Sequence, residues 1–346
     1  MHIPDNYLSP ATCAVMGAAM IPVWIQAAIE VKRNLPRERI PLLGIGAAFS
    51  FLIMMFNVPL PGGTTGHAVG GTLIAVLFGP GAATFAISVA LLIQALLFGD
   101  GGILSFGANC FNMAFVIPYV GYAIYTVLKR ALKGRSGETI GLAVGSYVGI
   151  NVAALCAAIE FGIQPLLFRD AAGLPMYCPY PLAISIPAML LPHLLVAGVA
   201  EAIFTVAVVG FVRRASPATI HALERAPGRA PASTGKGATL RPLLALMAVL
   251  IVLSPLGLLA SGTAWGEWGR DEIAKVAQGG ASLGFVPSGM QHGLDFSAFM
   301  KDYGVSGLPE LAGYLLSAIA GAAILVIVFK LLGLRRHQAA GEERTS

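Results

Sequence analysis

The first two residues, Met1 and His2, carry nitrogens that can chelate a metal ion. A free α-amine and the His2 amide nitrogen close a five-membered ring around an ion, and that amide and the His2 imidazole close a six-membered ring. Three nitrogens then lie in one plane with a fourth position open, which suits Ni²⁺ or Cu²⁺ and can accept Co²⁺. Taken alone, these two residues also fit a frayed terminus with an incidental histidine.

A second histidine, His67, could supply the fourth nitrogen. It lies in the glycine-rich segment 59–71, which reads PLPGGTTGHAVGG. Glycines allow sharp turns and close backbone approach, and a helix is expected to start at or just after His67. The alternative is a helix-terminal histidine that packs within its own loop.

A third segment, 99–113, reads GDGGILSFGANCFNM and contains further polar candidates. Asp100 could attract cations or hold the His67 ring from outside the metal's own ligands. Asn109 and Asn112 could line the same site. Each of the three also fits a turn residue or a helix cap.

The elements that must position these residues are predicted to be membrane helices. Of the 346 residues, 56% are hydrophobic and only 11% are charged, and the mean hydropathy is +0.78. A soluble domain carries about 25% charged residues, so an ordinary soluble enzyme and a disordered protein are both excluded. The predicted fold class is an all-α polytopic membrane protein, with nine apolar segments near 9–31, 40–57, 67–79, 81–98, 108–130, 138–161, 182–212, 241–260 and 310–332.

Basic residues predict the orientation of these segments. With nine spans, 18 of the 22 Lys and Arg residues fall on one side, which is the cytoplasmic side of a cell (inner) membrane. The N-terminus and the loops 58–66, 99–107, 162–181 and 261–309 are then outside, and the C-terminus is cytoplasmic. One broken helix over 67–98 competes with two short helices joined at Gly79-Pro80-Gly81, and the charge pattern favours the two helices.

The chain divides into four predicted parts. Residues 1–212 form a metal-binding seven-helix module, and 213–240 form a flexible cytoplasmic linker rich in Ala, Pro, Gly and Ser. Residues 241–332 form a two-helix membrane module with the outward loop 261–309, and 333–346 form a cytoplasmic tail. We expect no signal peptide and no ATPase site, because APASTGKG at 230–237 lacks the first Gly and the final Ser or Thr of a P-loop.

Three segments together resemble one known family. MHIPDNYLSP, PGGTTGHAVGG and GDGG…GANCFNM are similar, in that order, to the CbiM/NikM family, the substrate-binding membrane subunits of energy-coupling-factor transporters for cobalt and nickel. The resemblance covers roughly residues 1–212. It implies that the metal is bound outside by the Met1 amine, the His2 amide and imidazole, and the His67 imidazole. It also implies cytoplasmic ATPase subunits and a transmembrane coupling subunit as partners.

The C-terminal module resembles the small two-helix partner subunit of the same systems, here fused into one chain. That subunit usually carries a Pro-Asp-Gly-Leu-Glu signature. This chain has GTAWGEW at 262–268 instead.

The predicted function is capture of Co²⁺ or Ni²⁺ at the outer face, followed by ATP-driven import, such as supplies cobalamin biosynthesis. No resident cofactor and no nucleic-acid partner are expected. A secondary, ion-coupled metal transporter would need a series of buried carboxylates, for which only Glu160 and Glu201 qualify. A metal-dependent membrane enzyme would need a base such as Asp100. His193 and Glu201 share a helix face and are expected to pack helices or to seat a coupling subunit.

Overall fold

A computed structural model describes residues 1–60, 64–215, 241–260, 263–278 and 281–345. Within these residues, seven helices are long and apolar enough to cross a membrane. The prediction of an all-α polytopic membrane protein is therefore confirmed. The seven span Pro10–Asn34, Pro80–Phe98, Phe106–Leu132, Gly134–Leu167, Leu182–Ala215, Arg241–Leu259 and Glu310–Leu334, and a shorter apolar helix spans Ile40–Met54.

The first module contains ten α-helices and one hairpin among its described residues. In chain order they are α1 (Pro10–Asn34), α2 (Ile40–Met54), β1 (Val58–Leu60), β2 (Thr64–Gly66), α3 (Gly71–Phe78), α4 (Pro80–Ile93), α5 (Phe106–Asn109), α6 (Ile117–Leu132), α7 (Gly134–Gly162), α8 (Gln164–Leu167), α9 (Leu182–Pro192) and α10 (Gly198–Ala215). Wider π-helical turns at Gln94–Phe98, Cys110–Val116 and His193–Ala197 continue three of these helices.

The second module adds two long helices and a loop with short elements. These are α11 (Arg241–Leu253), α12 (Arg270–Ile273), β3 (Ala277–Gln278), β4 (Ala281–Ser282), α13 (Ser288–Gln291) and α14 (Glu310–Thr345). Helix α14 continues through most of the predicted tail at 333–346. Residues 216–240, which make up most of the predicted linker, lie outside the described residues.

Segment 67–98 contains two helices, as the charge pattern favours, but only α3 is short, because α4 and its π-helical turn (Pro80–Phe98) are together long enough to cross a membrane. Gly79 separates the two helices with φ +94°, a left-handed conformation that favours glycine. With eight residues, α3 is about 12 Å long, too short for a hydrocarbon core of about 30 Å. Its first turns, Gly71 to Ala75, are buried, so protein rather than lipid surrounds them.

The N-terminal segment and the predicted outer loops meet at one end of the molecule. The backbone amide of Gly102 donates to the Ile3 carbonyl, and that of Cys178 donates to the Tyr7 carbonyl, each at 2.9 Å. Segments from three predicted outer regions are thus joined by main-chain hydrogen bonds. This grouping agrees with the predicted topology.

The second module packs directly on the first through α14 and α2. A Cβ at Gly44 would lie only 2.6 Å from the Phe329 Cβ, so the two helices approach closely at this glycine. Near the loop end, the Tyr314 hydroxyl donates to the Met55 carbonyl at 2.6 Å. Residues 268 and 294 of the loop 261–309 lie next to the N-terminal segment, because the Tyr7 hydroxyl donates to the Trp268 carbonyl and Asn6 Nδ2 to the Leu294 carbonyl, each at 2.8 Å.

Candidate metal site

The N-terminal segment is inserted into the protein. Met1 and His2 are only 3% and 2% exposed. The side chain of Asn109 binds both backbone groups of Ile3, the residue after His2. Its Oδ1 accepts from the Ile3 amide at 2.7 Å, and its Nδ2 donates to the Ile3 carbonyl at 3.0 Å. The alternative of a frayed terminus is therefore wrong.

A second pair of contacts fixes the direction of the N-terminal segment. The Asp5 carboxylate accepts from the backbone amides of Ile103 and Leu104 at 3.0 and 2.7 Å. Asp5 and Asn109 both connect the segment to the region 99–109. The orientation of His2 thus depends on the loop that also carries Asp100.

His67 reaches the same point from the β1–β2 hairpin. Val58 pairs with Gly66 in this antiparallel hairpin, and His67 follows directly. The His67 side chain is buried, and its Nδ1 lies 3.1 Å from the Ala68 carbonyl. A proton on Nδ1 would be donated to that carbonyl, which leaves Nε2 as the free ligand atom.

The two imidazoles face each other as the sequence interpretation required. His67 Nε2 lies 3.2 Å from His2 Nδ1, and the ring centroids are 4.9 Å apart with planes 35° from parallel. Neighbouring ligands in a square plane with metal–nitrogen bonds of about 2.0 Å would be about 2.8 Å apart. Nδ1 is also the His2 atom that closes the six-membered ring. The spacing of the two nitrogens thus suits adjacent ligands of one ion.

Asp100 contacts His2 and not His67, which corrects the expectation that it would hold the His67 ring. Its Oδ1 lies 2.9 Å from His2 Nδ1. Its Oδ2 accepts from the Tyr303 hydroxyl at 2.5 Å and from Gln94 Nε2 at 3.2 Å. Burial by itself raises the pKa of Asp100, but the charge and hydrogen bond of His2 outweigh it and hold that pKa well below its usual range.

The surroundings keep His67 in the neutral form that binds metals. Burial lowers the pKa of His67 well below its usual value, and the positive charges of His2 and the Met1 α-ammonium lower it further. At neutral pH the imidazole therefore carries no extra proton that an incoming ion must displace.

The two asparagines have separate roles. Asn109 holds the N-terminal backbone next to His2, so it contributes to the site through main-chain positioning. Asn112 instead donates from Nδ2 to Glu160 Oε2 at 2.8 Å. Asn112 thus contacts a different buried group. In the described part of the chain, no hydrogen bond joins it to Met1, His2 or His67, so its predicted role in lining the metal site stays a prediction.

Contacts from the second module were missed in the sequence. The Met1 α-ammonium group forms an ion pair with Glu267 Oε1 at 3.1 Å, and Tyr303 donates to Asp100. Glu267 belongs to the GTAWGEW segment that replaces the expected signature. That departure from the signature was the only sequence feature that could have drawn attention to Glu267. Nothing in the sequence around Tyr303 indicated a link to residue 100.

The predicted donor set includes backbone nitrogens. In the described part of the chain, no group of three or more His, Cys, Asp or Glu side chains could hold a metal ion by itself. The α-amine and the His2 amide add two nitrogens to the two imidazoles. These four make up the planar set that the sequence predicts, and the two imidazole nitrogens are the pair that the structure brings within 3.2 Å.

Sequence comparisons identify two domains. The family described as "Cobalt uptake substrate-specific transmembrane region", CbiM, matches residues 2–219, and the PDGLE domain matches residues 241–337. The second match confirms the resemblance of the C-terminal module to the small partner subunit, despite its altered signature.

Several relatives match nearly the whole chain, among them two fused transport proteins. One is named a probable fused nickel transport protein, LarMN, of Lactiplantibacillus plantarum. It is 53% identical over 97% of this chain and 98% of its own length. The other is the fused nickel transport protein NikMN of Rhodobacter capsulatus, 49% identical over 94% of this chain and 95% of its own length.

Solved structures match the first module. A crystal structure described as a truncated transition metal transporter superposes with a TM-score of 0.59 at 55% identity, and the match covers 62% of this chain and 99% of that one. A second crystal structure, described as a transition metal transporter, gives the same TM-score and identity, and the match covers 62% of this chain and 93% of that one.

Proposed function

Because this chain belongs to the CbiM family of cobalt uptake substrate-specific transmembrane regions, here fused to a PDGLE domain, we propose that it captures Ni²⁺ or Co²⁺ at the outer face of the membrane for ATP-driven import. The chain is a multi-pass membrane component of cobalt and nickel transport. It is a transporter rather than an enzyme.

The observation that carries the proposal is the buried meeting of His2 and His67, 3.2 Å apart at their facing nitrogens. In the proposed complex, the Met1 amine, the His2 amide and His2 Nδ1 take three positions of a plane. His67 Nε2 takes the fourth, opposite the amide. Binding of the ion displaces one proton from the α-ammonium group and one from the amide into solution, and a further one from His2 where its imidazole is protonated, so binding weakens in acid.

Ni²⁺ is the cargo we favour. A plane of four nitrogens is a geometry typical of Ni²⁺. Two fused relatives that match nearly the whole chain, LarMN and NikMN, are both named for nickel. The metal content of purified protein after competition between equal concentrations of Co²⁺ and Ni²⁺ would measure this preference. We expect an excess of nickel.

Import would require other chains. We propose cytoplasmic ATPase subunits and a transmembrane coupling subunit as partners, since the family resemblance implies them and 230–237 departs from a P-loop. Hydrolysis in those subunits would then expose the ion to the cytoplasm. The rival of an ion-coupled transporter predicts uptake by this chain without any ATPase.

The experiment tests the amine and His67 separately, in the full chain. Inserting Leu-Pro between Met1 and His2 moves the amine two residues away while every side chain survives, and the proline nitrogen carries no proton that the ion could displace. We expect loss of tight Ni²⁺ binding and of Ni²⁺ accumulation in cells that contain the partner subunits. His67→Ala should weaken binding by at least about 100-fold, more than a change outside the metal's ligands costs.

His292→Ala is the matched control, because His292 is exposed in the loop 261–309. It should leave binding unchanged. Unaltered Ni²⁺ binding in both the insertion variant and His67→Ala would eliminate the site.

A further inference from the structure

A buried carboxylate on α10 holds the backbone that follows His67. Glu201 is 0% exposed. Its Oε2 accepts from the Val69 amide at 2.7 Å, and the Gly70 amide lies 2.9 Å from Oε1 and 3.1 Å from Oε2. Both oxygens of one side chain are thus used on two consecutive amides, two and three residues after the metal-site histidine.

The segment from His67 to Gly70 has no regular structure of its own. Gly70 has φ +73°, a left-handed conformation, and directly precedes α3. The Ser50 hydroxyl of α2 donates to the Val69 carbonyl at 2.7 Å. Side chains from two membrane helices, α2 and α10, therefore hold the polar backbone that a helix or sheet would otherwise pair.

Helix packing alone does not account for Glu201. In the described residues, no Lys, Arg or His side chain forms an ion pair with its carboxylate. A charge buried without a partner is costly, and its compensation here is the pair of amides at the N-terminus of α3, where the helix dipole favours an anion. The carboxylate is oriented towards the His67 segment and not towards a neighbouring helix side chain.

We propose that Glu201 is a positioning residue for metal binding, which holds His67 Nε2 at the distance from His2 that one ion requires. The inference rests on the proposed function of the His2–His67 site. Because Glu201 belongs to α10 and not to the loop, the place of His67 depends on the place of α10.

Helix α10 also reaches the opposite end of the module. There Arg213 forms an ion pair with Glu138 of α7 at 2.5 Å. The same helix thus contacts the metal-site segment through Glu201 and the basic end of the bundle through Arg213. A shift of α10 at that end would move the two amides that fix His67, and so alter the site.

The test is a double-mutant cycle in the full-length protein, with Ni²⁺ as the probe. Glu201→Gln keeps the shape of the side chain but directs an NH₂ group at an amide that needs an acceptor. We expect Ni²⁺ binding to weaken about 10- to 100-fold, the usual cost of losing a group that orients a metal ligand. The visible absorption band of bound Ni²⁺ should shift towards that of His67→Ala.

The combined variant decides whether Glu201 acts through His67. If it does, adding Glu201→Gln to His67→Ala costs little further affinity, because the group it positions is already gone. Thr205→Val is the matched control on the same helix, since Thr205 is fully buried and its hydroxyl has no partner among the described residues. It should leave both the affinity and the band unchanged.

Glu201→Asp keeps both acceptor oxygens one methylene further back and should restore part of the affinity if Glu201→Gln folds poorly. The inference would be overturned if the losses of binding free energy in Glu201→Gln and His67→Ala were additive in the combined variant. An unchanged Ni²⁺ band in Glu201→Gln would also overturn it. If His67→Ala itself leaves binding intact, the proposed site is wrong and the inference falls with it. A loss of affinity in Thr205→Val as large as that in Glu201→Gln would also overturn it, as a general effect of changing α10.

Discussion

Tyr303 of the second module donates its hydroxyl proton to Asp100 of the first at 2.5 Å, and the other oxygen of Asp100 lies 2.9 Å from His2 Nδ1. A side chain from the fused module is therefore two contacts away from a proposed metal ligand. Gln94 completes the arrangement by donating to the Tyr303 oxygen at 2.9 Å. The fused module thus takes part in the environment of the site as well as in the packing of the helices.

Tyr303→Phe should weaken Ni²⁺ binding about 3- to 10-fold. A hydrogen bond to a charged group contributes about 1.5–3 kcal/mol, and only the part that differs between the metal-free and metal-bound forms affects the affinity. Isothermal titration of the full-length protein with Ni²⁺ measures the change. Tyr314→Phe removes a hydroxyl bond of the same module to the Met55 carbonyl. It should lower the melting temperature without altering the affinity, and an equal loss of affinity in both variants would contradict the prediction.

Glu267→Gln should strengthen Ni²⁺ binding, by up to about five-fold at neutral pH. Glu267 pairs with the α-ammonium group, and the ion must displace both that contact and a proton from the amine. The carboxylate is 24% exposed, so the pair is worth about 1 kcal/mol or less. The measurement is competition with a chelator of known affinity. The conservative Glu267→Asp should remain close to the natural protein, and weaker binding by Glu267→Gln would show instead that the contact positions the amine.

The helices could be predicted because apolar length and the placement of basic residues depend on the bilayer and not on tertiary detail. Chain topology and the chelate chemistry of the first two residues left the pairing of His2 with His67 open, and the family resemblance implied it. The partner of Asp100 did not follow, since it depends on how Asn109 and Asp5 hold the N-terminal segment. Contacts such as those of Tyr303 and Glu267, more than 200 residues away from their partners, leave no local pattern.

His67 should release no proton when Ni²⁺ binds at pH 7. Its lowered pKa leaves the imidazole neutral at this pH, so protonation of His67 reduces affinity only in more acidic solution, well below the ordinary histidine range. The slope of log affinity against pH between 6.5 and 8 should then be the same in the natural protein and in His67→Ala, although the affinities differ. Titration in buffers of different ionisation enthalpy counts the protons. One more proton released by the natural protein than by His67→Ala would contradict this assignment.

The proposed orientation can be tested by labelling single introduced cysteines in intact cells. Ala171→Cys places a thiol at an exposed position of the loop 162–181, and Ser136→Cys places one at the start of α7 at the opposite, basic end. A membrane-impermeant maleimide should label Ala171→Cys in intact cells and Ser136→Cys only after permeabilisation. The unmodified chain is the control and should remain unlabelled, because Cys13, Cys110 and Cys178 are buried and Cys156 is half-buried within the last third of α7. The reverse labelling pattern would place His2 and His67 on the cytoplasmic side and rule out capture from outside.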